Sequence, residues 1–233
     1  MKSLSQINDL LGAFEKKFGI SAIGADQQSE ACFTMKLGVL SASNASKIVA
    51  KKDSETRLTY MCDLIAQICT GIHAEISGPA LQWGKDNEDV ARAFYEFQSG
   101  HTVTQVPFVF KDDSFREGAS PDGLIESRMG VEIKCPFNSG NYVKFLLEDS
   151  VKSEWQWQYQ YLMRVLDTKE WEFTQFDPRM KIKPRHILRV EWDDKKQTAF
   201  DDAVPQFIFD MDKALAKIGI EFGFQWKAGN ADQ

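Results

Sequence analysis

The first nineteen residues, MKSLSQINDLLGAFEKKFG, place Leu4, Ile7, Leu11, Phe14 and Phe18 at intervals of three and four. That spacing is the apolar stripe of a short amphipathic helix, ended by Gly19. LTYMCDLIAQIC (58–69) repeats the pattern and stops before Gly71, and PALQWGKDNEDVARAFYEF (79–97) opens on a proline and stops before Ser99 and Gly100. Both are predicted helices. HTVTQVPFVF (101–110) is rich in β-branched and aromatic residues and reads as a strand, with Pro107 marking an edge or a bend. Asp122 to Phe137 predicts two strands and a turn, and SEWQWQYQYLMRVL (153–166) predicts a helix. The strands KEWEFTQF and RHILRVEW follow, and a closing helix runs from Gln197 to Lys217. Helices and strands interleaved around one sheet predict an α/β, or α+β, sandwich.

Composition narrows the class. With 233 residues, 43% of them hydrophobic, and no linker, repeat or low-complexity tract, the chain has the material for one large core. No apolar run approaches the roughly 20 residues of a membrane span, and the N-terminus lacks the continuous apolar block of a signal peptide, so a cytoplasmic protein is expected. Cys32, Cys62, Cys69 and Cys135 form no C-x-x-C pair, which argues against a zinc or iron–sulfur site. Cys62 and Cys69 are expected on the buried stripe of their helix. His73, His101 and His186 lie far apart, so a Ser-His or Cys-His nucleophile has little support. The net charge of −6 argues against a protein that coats nucleic acid, but not against basic residues gathered in one groove.

One stretch carries concentrated chemistry. SPDGLIESRMGVEIK (120–134) leaves nine residues between Asp122 and Glu132 and puts Lys134 two beyond Glu132. In a strand, residues two apart share a face, so Glu132 and Lys134 project together while Ile133 points into a core. A turn ahead of that strand brings Asp122 alongside. Two carboxylates and an ammonium facing one spot are costly unless a cation such as a metal joins them.

The P-D-x(9)-E-x-K spacing resembles the core of the PD-(D/E)xK nucleases, and by itself it is a common pattern. The surrounding text is more specific. KLGVLSASNASKIVAK, ALQWGKDNEDVARAFYEFQSG, ASPDGL with VEIKCPF, QYQYLM, FDPRMK and MDKALAKIGIEFGFQW are similar, in order, to the phage lambda exonuclease-like (YqaJ-type) viral recombinases. They run from about Lys36 to Trp226. The resemblance implies a restriction-endonuclease-like fold with a central mixed sheet flanked by helices. It covers a single nuclease domain over 31–233, with residues 1–30 an N-terminal helix and lead-in outside it.

The implied activity is a Mg²⁺-dependent 5′-to-3′ exonuclease that degrades one strand of linear double-stranded DNA from 5′-phosphorylated ends. Its product, a 3′ single-strand overhang, would serve recombination by strand annealing. One or two Mg²⁺ ions, with Mn²⁺ able to substitute, would be held by Asp122, Glu132, the Ile133 backbone carbonyl and the helix-borne Glu88. Hard, octahedral Mg²⁺ keeps several waters, so few protein ligands suffice. Lys134 would orient or deprotonate the attacking water or stabilise charge, and Gln158 would help hold the water or phosphate; Gln160, two residues on, faces elsewhere. Lys36, Ser43 and Ser120 match the 5′-phosphate contacts, and Leu81 matches a wedge against the terminal base pairs. Two departures stand out: Lys36 and Gly140 occupy positions where the family carries arginines, and lysine lacks the bidentate fork. The resemblance further implies a homotrimeric ring around DNA and a single-strand annealing protein as partner.

Two other readings compete. An inactive DNA-end-binding module of the same fold would be expected to lack one of Asp122, Glu132 and Lys134, and all three are present. An endonuclease of the same fold shares the metal site but needs no 5′-phosphate pocket.

Overall fold

A computed structural model describes residues 1–73, 78–125 and 128–227. Local sequence chemistry sets the helix ends. Helix α1 (Leu4–Phe18) is capped by Ser3, whose hydroxyl accepts from the Gln6 N–H while the Gln6 side chain accepts from the Ser3 N–H. It ends at Gly19 with φ 71°, the left-handed conformation that glycine adopts without strain. Helix α2 (Glu30–Lys36), strand β1 (Leu40–Ser41), a 3-10 turn at Ala42–Asn44 and helix α3 (Ala45–Ile48) follow. Helices α4 (Glu55–Thr70) and α5 (Pro79–Ser99) match the predicted pair.

The predicted strand 101–110 is two strands in two sheets. β2 (Val103–Thr104) joins the larger sheet and β3 (Val109–Phe110) the smaller one. Pro107, without an N–H, stands between them. The single expected sheet is likewise two. The smaller has the order β1-β4-β3, with β4 at Glu117–Ala119. The larger is mixed, ordered β2-β5-β6-β7-β8, with β5 (Gly123–Ile125), β6 (Met129–Lys134), β7 (Glu170–Phe176) and β8 (Arg185–Glu191). β6 and β7 are parallel and the remaining pairs of that sheet antiparallel. Part of the turn predicted between β5 and β6, at residues 126–127, lies outside the described residues.

Two helices, α6 (Ser139–Glu148) and α7 (Ser153–Leu166), connect β6 to β7. Tyr159, Tyr161, Leu162, Met163, Val165 and Leu166 of α7 are fully buried, so this helix is a central element that touches both sheets. Helix α8 (Asp194–Lys217) closes the fold, burying Phe200, Val204, Phe207, Met211 and Leu215 at helical spacing. The N-terminal helix is built into the same core: Phe14 packs on Phe110, Phe115 and Trp226. Gly130 of β6 lies directly opposite Trp171 of β7, where an added Cβ would run into the indole.

In α4 the buried stripe is Arg57, Tyr60, Leu64 and Ile68, and Cys62 and Cys69 are exposed, contrary to expectation. At about 100° per residue, both cysteines fall off that stripe. Arg57 takes a buried place because Asp210 pairs with it at 2.9 Å and its guanidinium lies over Phe207.

Candidate active site

β6 is the middle strand of the larger sheet and is buried along nearly its whole length. Its alternation sends Ile133 to one face, into a cluster with Ala91 and Tyr95 of α5. Glu132 goes to the other, opposite Phe173, which packs on Phe145, Trp155 and Tyr159. A carboxylate at 2% exposure in such surroundings needs donors. Glu132 Oε1 has two: Lys134 Nζ at 2.7 Å and Gln158 Nε2 at 2.8 Å, the latter reaching down from α7. Glu132 Oε2 is buried and has no hydrogen-bond partner among the described residues.

Asp122 sits one residue ahead of β5, and its Oδ2 accepts from the Ile133 N–H at 2.7 Å. A residue's N–H and C=O leave a strand on the same edge, so the Ile133 carbonyl also faces the Asp122 side. Glu88 arrives from α5, 3.9 Å from Arg92. Glu88, Asp122, Ile133 and Lys134 line a cleft of about 360 Å³, with Glu132 and Gln158 just behind it.

The electrostatics follow from this crowding. Burial, with Asp122 next, pushes both Glu88 and Glu132 up to about 7. Burial also raises Asp122, against the pull of Lys134 and the Ile133 N–H. For Lys134 burial works downwards, but Glu132 and Asp122 outweigh it and hold the ammonium above its usual range. Among the described residues no three Asp, Glu, His or Cys side chains are gathered as a ready metal cluster. Here the Lys134 ammonium is the counter-cation at the carboxylates. An orphaned buried oxygen and three carboxyl groups raised chiefly by burial are nonetheless what an added cation would relieve, so the donor set fits one. All the donors are hard oxygens, which suits Mg²⁺ or Mn²⁺. The neighbouring Cys135 thiol is pushed up to about 12 by burial and by Glu88 and Asp122, so it is no thiolate competitor.

The remaining expected residues are spread around this centre. Leu81, in the first turn of α5, lines the cleft and is 42% exposed. Ser41 of β1 pairs with Gly118 of the parallel strand β4, so Ser43 and Ser120, each two residues on, leave the sheet at the same end. The Ser120 hydroxyl donates to the Pro107 carbonyl at 3.3 Å, as does Cys32 of α2 at 3.2 Å, which brings α2 to the same corner. Lys36, at the end of α2, lies over Phe33 and Phe108. Neither Lys36 nor Ser43 lines the cleft. Gln160 is locked elsewhere, donating to the Glu191 carbonyl and accepting from the Asp193 N–H. Gly140 lies in the first turn of α6, its N–H bound to Asn138.

Sequence reasoning missed several residues of the cleft: Lys85, Phe137, Lys152, Trp155 and Gln175. Gln175 is 3% exposed, pairs in register with Lys134, and its Oε1 has no hydrogen-bond partner among the described residues. The parallel β6–β7 register would have found it, but that register is not readable from one sequence. Arg179 stacks on Trp83 and donates to the Pro136 and Phe137 carbonyls, tying down the chain that leaves β6.

With this geometry in place, likeness to known proteins becomes decisive. Residues 33–170 match the YqaJ-like viral recombinase domain. The chain belongs to that family. The crystal structure of LHK-Exo, an alkaline exonuclease from Laribacter hongkongensis, in complex with dAMP superposes with a TM-score of 0.75. It shares 29% identity, over 82% of this chain and 96% of that one. A phage related exonuclease from Haemophilus somnus 129PT has a TM-score of 0.66 over 78% of this chain and 96% of its own, and at 13% identity it shows the shared fold alone. An uncharacterized Escherichia coli (strain K12) protein, ExoD, is 43% identical over 79 residues, 34% of this chain and 91% of that protein.

Proposed function

We propose that this chain is a Mg²⁺-dependent exonuclease that degrades one strand of linear duplex DNA in the 5′-to-3′ direction from 5′-phosphorylated ends. That it is an enzyme of the DNA exonuclease class rests on its family and on the 29% identical alkaline exonuclease. The single observation that carries the site is the β6 cluster: Glu132 held by Lys134 and Gln158, with its second oxygen unpartnered, beside Asp122 and Glu88.

Asp122, Glu132, Glu88 and the Ile133 carbonyl would hold the metal. When bound, the ion supplies Lewis-acid polarisation of the phosphate and an activated water at neutral pH. The protein's own groups do the rest. Lys134 presents a protonated ammonium to the cleft, so it is equipped as it stands to donate to a phosphate oxygen and to offset charge. To act as a base it must first lose the field of Glu132 and Asp122. Gln158, with Lys134, holds Glu132 Oε1 and so sets the orientation of the carboxylate. Leu81 and Phe137, both exposed at the cleft, offer apolar surface to an end base pair. Lys85 and Lys152 supply the cations that the family arginines would otherwise bring. Ser43, Ser120 and Lys36 form the 5′-phosphate corner. A homotrimeric ring and a single-strand annealing partner complete the reading, supported by the sequence resemblance.

The test is digestion of linear duplex DNA labelled at the 5′ or the 3′ end, with and without 5′-phosphate, beside a closed circle and Asp122→Ala. Release of the 5′ label from phosphorylated linear ends alone, lost in the variant, is expected. Cleavage of the circle would make the enzyme an endonuclease of the same fold.

A further inference from the structure

β3 and β4 are antiparallel, with Val109 opposite Ala119 and Phe110 opposite Gly118. Both pairs have residue numbers that add to 228, so the same register carried two residues further sets Pro107 opposite Pro121. Neither proline has an N–H to give, and the ladder cannot continue. The carbonyls around this break need donors from elsewhere. Pro107 receives two, from Cys32 and Ser120. For Val106 and Pro121 a single side chain answers: Gln27 Nε2 donates to the Val106 carbonyl at 2.7 Å and to the Pro121 carbonyl at 2.8 Å. One of its amide protons thereby stands in for the N–H that Pro107 cannot offer to Pro121, and the other ties the adjoining Val106 carbonyl to the same side chain.

The Pro121 carbonyl belongs to the peptide that joins Pro121 to Asp122. Asp122 is thus fixed twice: through its main chain by Gln27 and through its carboxylate by the Ile133 N–H. Gln27 also lines a second, polar cleft of about 450 Å³ that shares Lys85 and Glu88 with the first. It lies in the segment between α1 and α2, ahead of the residues 33–170 that match the family. We propose that Gln27 is a positioning residue for Asp122, so that the N-terminal segment, anchored in the core through α1, forms part of the catalytic apparatus. This rests on the proposed function, since Asp122 there is a metal ligand.

The experiment compares wild type with Gln27→Met, which keeps length and volume but no donors, and with Gln27→Asn, whose amide falls one methylene short. Gln28→Ala, which removes the exposed neighbouring amide and leaves the Gln27 donor to Pro121 in place, is the control. The readouts are Mn²⁺ affinity by calorimetry, kcat and KM on linear duplex DNA, and thermal midpoint. Both Gln27 variants should lose about 10- to 100-fold in Mn²⁺ affinity and in kcat, with KM for DNA unchanged and Gln28→Ala like wild type. Unchanged Mn²⁺ affinity and kcat in a folded Gln27→Met, or losses that only track its unfolded fraction, would overturn the proposal. Should wild type bind Mn²⁺ without cleaving DNA, the exonuclease reading fails while the affinity ratio still judges Gln27.

Discussion

Replacing Glu132 by glutamine should make the metal-free protein more stable and the enzyme inactive. The replacement side chain keeps an Oε1 for Lys134 and Gln158 and removes the negative charge that Asp122 and Glu88 oppose. In the folded chain Glu132 is raised from 4.5 to about 7. As pH climbs, the unfolded chain therefore gives up this proton first, and the folded state is penalised. The penalty is absent below about 4.5, grows through the window up to about 7 and is constant above it. At about 1.4 kcal/mol for each tenfold change in proton affinity, it reaches on the order of 3 kcal/mol as an upper value, and between about 1 and 3 kcal/mol is expected. Urea denaturation in EDTA at pH 5 and pH 8.5 measures it: the variant should exceed wild type at the higher pH, and the gap should narrow strongly at the lower. Equal stabilities at pH 8.5, or a gap indifferent to pH, would refute the claim that a buried charge is held there at a cost.

Three further outcomes follow from the same geometry. Asp122→Asn should lose more than about 1,000-fold in cleavage while DNA-end binding, followed by fluorescence anisotropy, survives. Gln158→Leu removes one of the two donors that hold Glu132 Oε1, and its kcat should fall about 10- to 100-fold with little change in KM. Gly130→Ala places a Cβ against the Trp171 ring and should cost about 1–3 kcal/mol or more, read by chemical denaturation.

Much of this molecule is legible in its sequence because the chemistry is local. Period-three-and-four stripes locate α1, α4, α5, α7 and α8, and the strand alternation around Glu132, Ile133 and Lys134 sets which side chains share a face. Long-range pairing is not legible. That β2 and β3 part company at Pro107 into separate sheets depends on partners at Leu124, Ile125 and Ala119. The short helices α2 and α6 carry too few turns for a period to emerge. The expected burial of Cys62 and Cys69 fails because a buried arginine, Arg57, belongs to the stripe of α4, and only the distant Asp210 makes that place tenable. Gln175 and Gln27 escape for the same reason: each matters through a residue far along the chain, Lys134 in one case and Pro121 in the other.

The central proposal is that Asp122 and Glu132, with Glu88, hold one or two divalent cations, and calorimetric titration of the DNA-free protein with Mn²⁺ at pH 8 tests it most directly. Saturable binding by wild type, displaced by Mg²⁺ and lost in both Asp122→Ala and Glu132→Gln, is the predicted result. Binding of equal affinity in all three proteins, or none in wild type, would contradict it.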